Sequence, residues 1–373
     1  MKLQPFMIFL ILLLIASFCI SCKTPTLKET FKDKYLVGTA LNKFQIEGKD
    51  PESLKLAVEQ FNCITPENIL KWQPVHPRPG VYNFGPADSL IELAEKNNML
   101  VIGHTLVWHS QTPRWVFENS DGTPVSKDTL LQRMKEHIFK VAGRYKGKIH
   151  GWDVVNEAYD EEGNLRKSKW LDILGDNFIE WAFIWAHEAD PDAELYYNDF
   201  NMWYKGKREA VIKMCQDFKA KGIPIDGIGL QGHWGMDYPS IDELDESFKA
   251  YATLGLKIMV TELDLDMLPS PGDYRGADIS KNFELKKELD PWPDGLPDSM
   301  DVKIAERYAE FFTLFNKYSD SISRITLWGV HDGQSWRNFW PVFRRTAYPL
   351  LFDRQLKPKK AFYAVINTVQ EGK

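Results

Sequence analysis

The sequence is poor in cysteine, with four in 373 residues. The one C-x-x-C, Cys19 to Cys22, sits at the end of an N-terminal apolar run, the other two cysteines are far apart, and no His-Glu-x-x-His occurs, so neither a disulfide framework nor a zinc motif for metal catalysis is written in the chain. No basic block appears and the net charge is −6, which argues against nucleic acid as a partner. No Gly-rich phosphate loop follows the first strand-like run, which weakens a nucleotide-binding reading. No cofactor and no metal are therefore expected. What is present is an apolar share of 44% and 13 Trp. The first supports a sizeable core. The second is high for a plain core, because each buried indole N–H needs a partner. Indole faces also pack on the C–H faces of pyranose rings, so a Trp-rich core and a sugar-binding surface both fit the count.

The N-terminus reads as a processing segment. Lys2 precedes the apolar run FMIFLILLLIASFCI, which ends at Ile20. That run is short of the roughly 20 residues a bilayer span needs. The following Ser21-Cys22 resembles a bacterial lipobox, which implies cleavage before Cys22 and lipidation of its thiol. Cys19 fits less well, because bulky Phe18 precedes it. An ordinary cleaved signal peptide is the alternative. The expected organisation is a signal peptide over residues 1–21, a tether over 22–30 and one catalytic domain over 31–370. A lipidated Cys22 would make the protein an exported, membrane-anchored lipoprotein, facing either the periplasm or the outside. Cys63 and Cys215 lie in apolar periodic segments and read as buried free thiols.

Eight strand-like runs follow: KYLVGTA, FNCITPEN, MLVIGHTLVWH, KIHGWDVVNE, AELYYNDFN, IDGIGLQGHW, KIMVTELDLD and ISRITLWGVHD. Helix-period segments separate them, such as ADSLIELAEKNN with its stripe of Leu90, Leu93 and Ala94. Consecutive apolar residues such as Ile258-Met259-Val260 suit parallel strands covered by helices. Repeated βα alternation predicts an α/β fold, a (β/α)8 TIM barrel, over a doubly wound open sheet. The irregular stretch 267–300, rich in Pro, Asp and Gly, follows the seventh strand on the face where barrel enzymes keep their active sites.

Polar residues cluster where these strands end: Glu67-Asn68, His104 to His109, Asn156-Glu157, Asn198-Asp199, Gln231 with His233, Glu262 with Asp264, and Trp328 to Arg337. A barrel carries all these ends to one rim, which predicts a shared polar cleft. Glu157 and Glu262 would face that cleft as a carboxyl pair. One such carboxyl protonates a glycosidic oxygen, while the other attacks the anomeric carbon or activates water.

Seven motifs in order, ITPENILKW, GHTLVWHSQTP, WDVVNEA, YNDFN, GLQGHW, VTELD and LWGVHDGQSWR, resemble those of glycoside hydrolase family 10 endo-1,4-β-xylanases. The likeness runs from about residue 30 to residue 370. It implies endo-hydrolysis of xylan and xylo-oligosaccharides with retention. Glu157 would be the acid/base and Glu262 the nucleophile, with carboxyl groups about 5–5.5 Å apart. His233 and Asp264 resemble a pair that holds Glu262 ionised. Asn156 resembles the contact to the sugar 2-hydroxyl, and Gln231 a second contact near the nucleophile. His104 and Trp108 resemble the floor and wall of the reacting subsite. Glu67, Asn68 and Lys71 resemble contacts to the next sugar, and Trp328 and Trp336 a lid. Arg337 and Tyr197 are further candidates for the substrate site, with structural ion pairing or packing as the alternative for each. A monomer is expected. The alternatives are a β-glucanase or aryl glycosidase on the same barrel, or a surface lipoprotein that binds glycan without cleaving it.

Overall fold

A computed structural model describes residues 24–272 and 279–370. The signal-like run, Cys22 and residues 273–278 of the long loop lie outside the described residues. Eight strands form a closed parallel barrel: β1 Leu36–Leu41, β2 Cys63–Pro66, β3 Leu100–Trp108, β4 Gly151–Asn156, β5 Glu194–Asp199, β6 Gly227–Gly235, β7 Lys257–Asp266 and β8 Ile322–Leu327. Each pairs with the next, and β8 returns to β1 through Leu36↔Arg324 to Thr39↔Leu327. The expected (β/α)8 barrel is the observed fold.

Local chemistry sets the helices that cover the barrel. Asp50 accepts from Ser53 N–H in front of Pro51 and starts the helix Pro51–Gln60, since a side-chain oxygen at the N-cap satisfies an otherwise orphaned donor. Ser240 and Glu243 form a reciprocal capping box at the head of Ile241–Ala252. Gly222 ends Lys205–Lys221 in the left-handed conformation. In the helix Gly85–Asn97 the buried residues are Ala87, Leu90, Ile91 and Ala94. Leu93, expected in that stripe, is only partly buried.

Barrel strands are buried along most of their length, so large side chains inside need small neighbours. Gly103 faces Trp152 across the β3–β4 register, and a Cβ there would lie 2.2 Å from the indole. Gly151 makes the same room for Tyr196, at 2.5 Å. Cys63 and Cys215 are buried free thiols, and burial pushes Cys215 up to about 12.

The tether expected through residue 30 is shorter on the folded side. Thr26 and Glu29 form a capping box for the turn Leu27–Thr30. Leu27 and Phe31 are fully buried, and Phe31 packs 5.3 Å from Phe312. Apolar burial thus draws the chain into the domain from Thr26. The long loop after β7 is tied to the segment after β8. Phe283 N–H donates to Pro341 O at 2.9 Å, Asp290 accepts from Thr346 N–H at 3.0 Å, and Tyr348 Oη donates to Trp292 O at 2.7 Å.

Candidate active site

The C-terminal ends of the strands surround a cleft of ≈ 250 Å³. Glu67, Asn68 and Lys71 reach it after β2, His104 and Trp108 from β3, Asn156 and Glu157 at the end of β4, Gln231 and His233 from β6, Glu262 from β7, and Trp328 and Trp336 after β8. Two carboxyls face the same space because the backbone departs from plain strand geometry. Glu157 has φ 56° and Glu262 φ 55°, a region that non-glycine residues seldom occupy and that concentrates at functional sites. Register shifts accompany this: β6–β7 slips between Gln231 and His233, and β7–β8 between Val260 and Leu263. Such bulges re-aim side chains at barrel rims.

Three amides tie the two carboxyls into one network. Asn198 Nδ2 donates to Glu262 Oε1 at 2.8 Å and to Asn156 Oδ1 at 2.9 Å. Gln231 Nε2 donates to Asn156 Oδ1 at 3.2 Å and to Glu157 Oε1 at 3.0 Å. Thr261 Oγ1 holds Asn198 Oδ1 at 2.6 Å. Gly229 makes the space for this, because a Cβ there would lie 2.4 Å from Asn198 Oδ1. Trp108 Nε1 donates to Glu157 Oε2 at 2.8 Å.

The surroundings bias the two carboxyls in opposite directions. Burial is the main cause that raises Glu157, and the charge of Glu262 adds to it against the donors Gln231 and Trp108. Burial also pushes Glu262 upward. There the His233 hydrogen bond, with the charges of His104, His233 and Lys71, outweighs it and holds Glu262 below the usual range. Both His233 nitrogens face carboxylate oxygens, Nε2 to Glu262 Oε2 at 3.2 Å and Nδ1 to Asp264 Oδ1 at 3.0 Å. Ionised carboxylates only accept, so the ring donates twice and is an imidazolium. Burial alone would lower His233, but Asp264 and Glu262 raise it. Asp264 falls to about 2; burial opposes this, and Arg337 and His233 overcome it. Trp336 Nε1 donates to Asp264 Oδ2 at 2.6 Å, which locks the indole.

On the β2 side, Lys71 Nζ donates to Asn68 Oδ1 at 3.0 Å and sits 4.8 Å over the Trp108 ring. Burial lowers Lys71 while Glu262, Glu67 and Glu157 hold it up. His104 Nδ1 meets Asp153 Oδ2 at 2.9 Å, and its ring lies edge-on to Trp328 at 5.4 Å.

Two candidates for substrate contact lie elsewhere. Arg337 is buried and spends its donors on Asp264, at 3.1 and 3.0 Å, and Asp266, at 3.1 Å. Tyr197 is fully buried behind β4, bonded to Asp199 and to the backbone after Glu157. Neither lines the cleft. Four residues were given no role in the sequence reading. Gln111, Trp340 and Ile279 line the cleft, and Asn198 donates at its centre. Trp340 stacks on Trp336 at 4.5 Å and 6°, and a W-x3-W spacing was the available signal. Gln111 and Asn198 stood inside quoted motifs, whereas Ile279 carried no signal. Among the described residues no group of three or more His, Cys, Asp or Glu is arranged to hold a metal ion.

An eight-stranded parallel barrel with two oppositely biased carboxyls in a tryptophan-walled cleft defines a barrel glycoside hydrolase. The chain belongs to glycosyl hydrolase family 10, whose model matches residues 26–368. It is 45% identical over 366 residues to "Endo-1,4-beta-xylanase A" of Xylanibacter ruminicola, covering 98% of this chain and 99% of that protein. It is 42% identical to "Beta-1,4-xylanase" of Dictyoglomus thermophilum, with 98% and 99% covered. A solved GH10 endoxylanase from a sugarcane soil metagenome superposes with a TM-score of 0.89 at 44% identity, covering 91% of this chain and 99% of that one.

Proposed function

We propose that the protein is a retaining endo-1,4-β-xylanase with Glu157 as acid/base and Glu262 as nucleophile. The observation that carries this is the opposite protonation bias of two buried carboxyls joined through Asn198, Asn156 and Gln231. In the first step a Glu262 oxygen attacks the anomeric carbon as the bond to the leaving oxygen breaks. The Glu157 proton passes to that oxygen. Glycosylation removes the Glu262 charge, so one cause that raises Glu157 disappears. Glu157 is then a carboxylate that takes a proton from water, while the water oxygen attacks the anomeric carbon and frees Glu262. Two inversions give retention. Asn156, Gln231, His104, Trp108, Glu67, Asn68, Lys71, Trp328 and Trp336 supply polar contacts and ring faces for the sugars. Endo-xylanase names on relatives that match nearly the whole chain support xylan as substrate.

Proton NMR of the first product from xylan tests the reading. The β-anomer is expected, with loss of turnover in Glu262→Ala. Initial α-anomer overturns retention, and faster turnover of β-glucan than of xylan overturns the substrate. We also propose export and lipid anchoring at Cys22, supported by the apolar run and Ser21-Cys22. Radiolabelled palmitate should enter the wild type and not Cys22→Ala, and label in both would refute the anchor. A monomer is proposed as well, and light scattering at twice the mass of the mature chain would refute it.

A further inference from the structure

Behind Glu157, on the face of β5 opposite the cleft, lies a buried cluster that the two-carboxyl mechanism does not use. Tyr197 Oη accepts from Ala158 N–H at 3.0 Å and from Tyr159 N–H at 3.3 Å. It donates to Asp199 Oδ2 at 2.5 Å, so its donor and both lone pairs are engaged. Asp199 Oδ1 accepts from Lys207 Nζ at 3.0 Å, and that ammonium also holds Phe200 O at 2.9 Å. Tyr197, Asp199 and Lys207 are all fully buried. The two N–H groups gathered by the hydroxyl belong to the residues directly after Glu157. Glu157 itself has a left-handed backbone that a bulky residue adopts only when its neighbours hold it there. Glu157 N–H donates to Asn198 O at 2.9 Å, and Arg166 Nε donates to Glu157 O at 3.2 Å. The hydroxyl therefore fixes the chain on the far side of the strained residue, and its own position is fixed by a buried ion pair.

We propose that Tyr197, held by Asp199 and Lys207, is a positioning residue for the proton-donating carboxyl of Glu157. The cluster keeps Glu157 in the conformation that turns its side chain from the helix side of β4 into the cleft. It touches no substrate. The inference rests on Glu157 being the acid, and the test separates the two claims.

The leaving group supplies the readout. An aryl β-xylobioside carrying 2,4-dinitrophenolate departs without a proton, whereas xylotriose needs one. kcat/KM reports steps up to the first irreversible one, so it isolates departure of the leaving group. The ratio of the two kcat/KM values is measured in one enzyme sample, and partial unfolding cancels. In Tyr197→Phe, kcat/KM on xylotriose should fall about tenfold or more, a fraction of the 10²–10⁴ that general acids contribute. On the dinitrophenyl substrate it should change less than about threefold. Lys207→Met removes the same anchor from its other end and should shift the ratio in the same direction, which keeps the test open if one variant folds poorly. Equal losses on both substrates in the folded variants, or no loss on either, overturn the inference. Glu157→Ala is the control. If it shows the selective loss and Tyr197→Phe does not, Glu157 stands as acid and the positioning role falls. If Glu157→Ala loses both substrates equally, the assignment of the acid itself falls.

Discussion

Replacing His233 with leucine should move the acid limb of activity upward. In the folded protein the imidazolium donates to Glu262 Oε2 at 3.2 Å and to Asp264 Oδ1 at 3.0 Å. Leucine fills similar space and donates nothing. Glu262 keeps only the Asn198 donor at 2.8 Å, while Asp264 stays ionised through Arg337 and Trp336. A hydrogen bond to a charged group is worth about 1.5–3 kcal/mol, or about 1–2 pH units in the carboxyl it serves. Asp264 would then lack the cation between it and Glu262, which acts in the same direction. The sign follows from the proposed reaction: Glu262 as nucleophile would work as a carboxylate, and a raised carboxyl ionises only at higher pH. The assay is kcat/KM against pH on the dinitrophenyl xylobioside, where the Glu157 proton is not needed and the acid limb stands alone. An acid limb that stays in place, or moves down, refutes this account of how Glu262 is kept ionised.

In Glu262→Gln the charge that helps raise Glu157 is gone, so Glu157 should titrate at lower pH by carboxyl ¹³C NMR; an unchanged or higher midpoint argues against coupling of the pair. Gly229→Ala places a Cβ 2.4 Å from Asn198 Oδ1 and should cost about 1–3 kcal/mol of stability in urea unfolding, together with turnover, because Asn198 leaves Glu262; unaltered kinetics would exclude Asn198 from the network. Asp264 has a folded value of about 2 against an ordinary 3.8. A depressed carboxyl stabilises above its unfolded value and loses that contribution as pH falls. About 2 kcal/mol should therefore disappear between roughly pH 4 and pH 2, and an Asp264 carboxyl that titrates at its ordinary value would exclude it.

Much of the site could be read along the chain because a parallel barrel sends every strand end to one rim. Once βα alternation was recognised, Glu67, His104, Asn156, Gln231, His233, Glu262 and Trp328 had to converge. Tyr197 takes the structural alternative, packed away from the cleft, for a reason that strand geometry explains. Successive side chains point to opposite faces, so Tyr197 and Asp199 share the face away from Asn198. Applied strictly, alternation would have placed Tyr197 outside the cleft. For Arg337 the structural alternative holds: Asp264 and Asp266 engage its donors, partners that sequence order does not name. The tether was drawn too long because Leu27 and Phe31 look unremarkable until Phe312 is beside them.

The order of motifs, the apolar periodicity and the two glutamates determined the barrel, the carboxyl chemistry and the family. Folding in three dimensions decided which neighbours face the cleft and which of the two carboxyls is biased to keep its proton. The same alternation that excludes Tyr197 would send adjacent Asn156 and Glu157 to opposite faces. They share the cleft because the backbone at Glu157 turns left-handed, and buried partners distant in sequence hold that turn. The opposite protonation of Glu157 and Glu262 likewise depends on burial and on cations from other strands, which exist only once the barrel has closed.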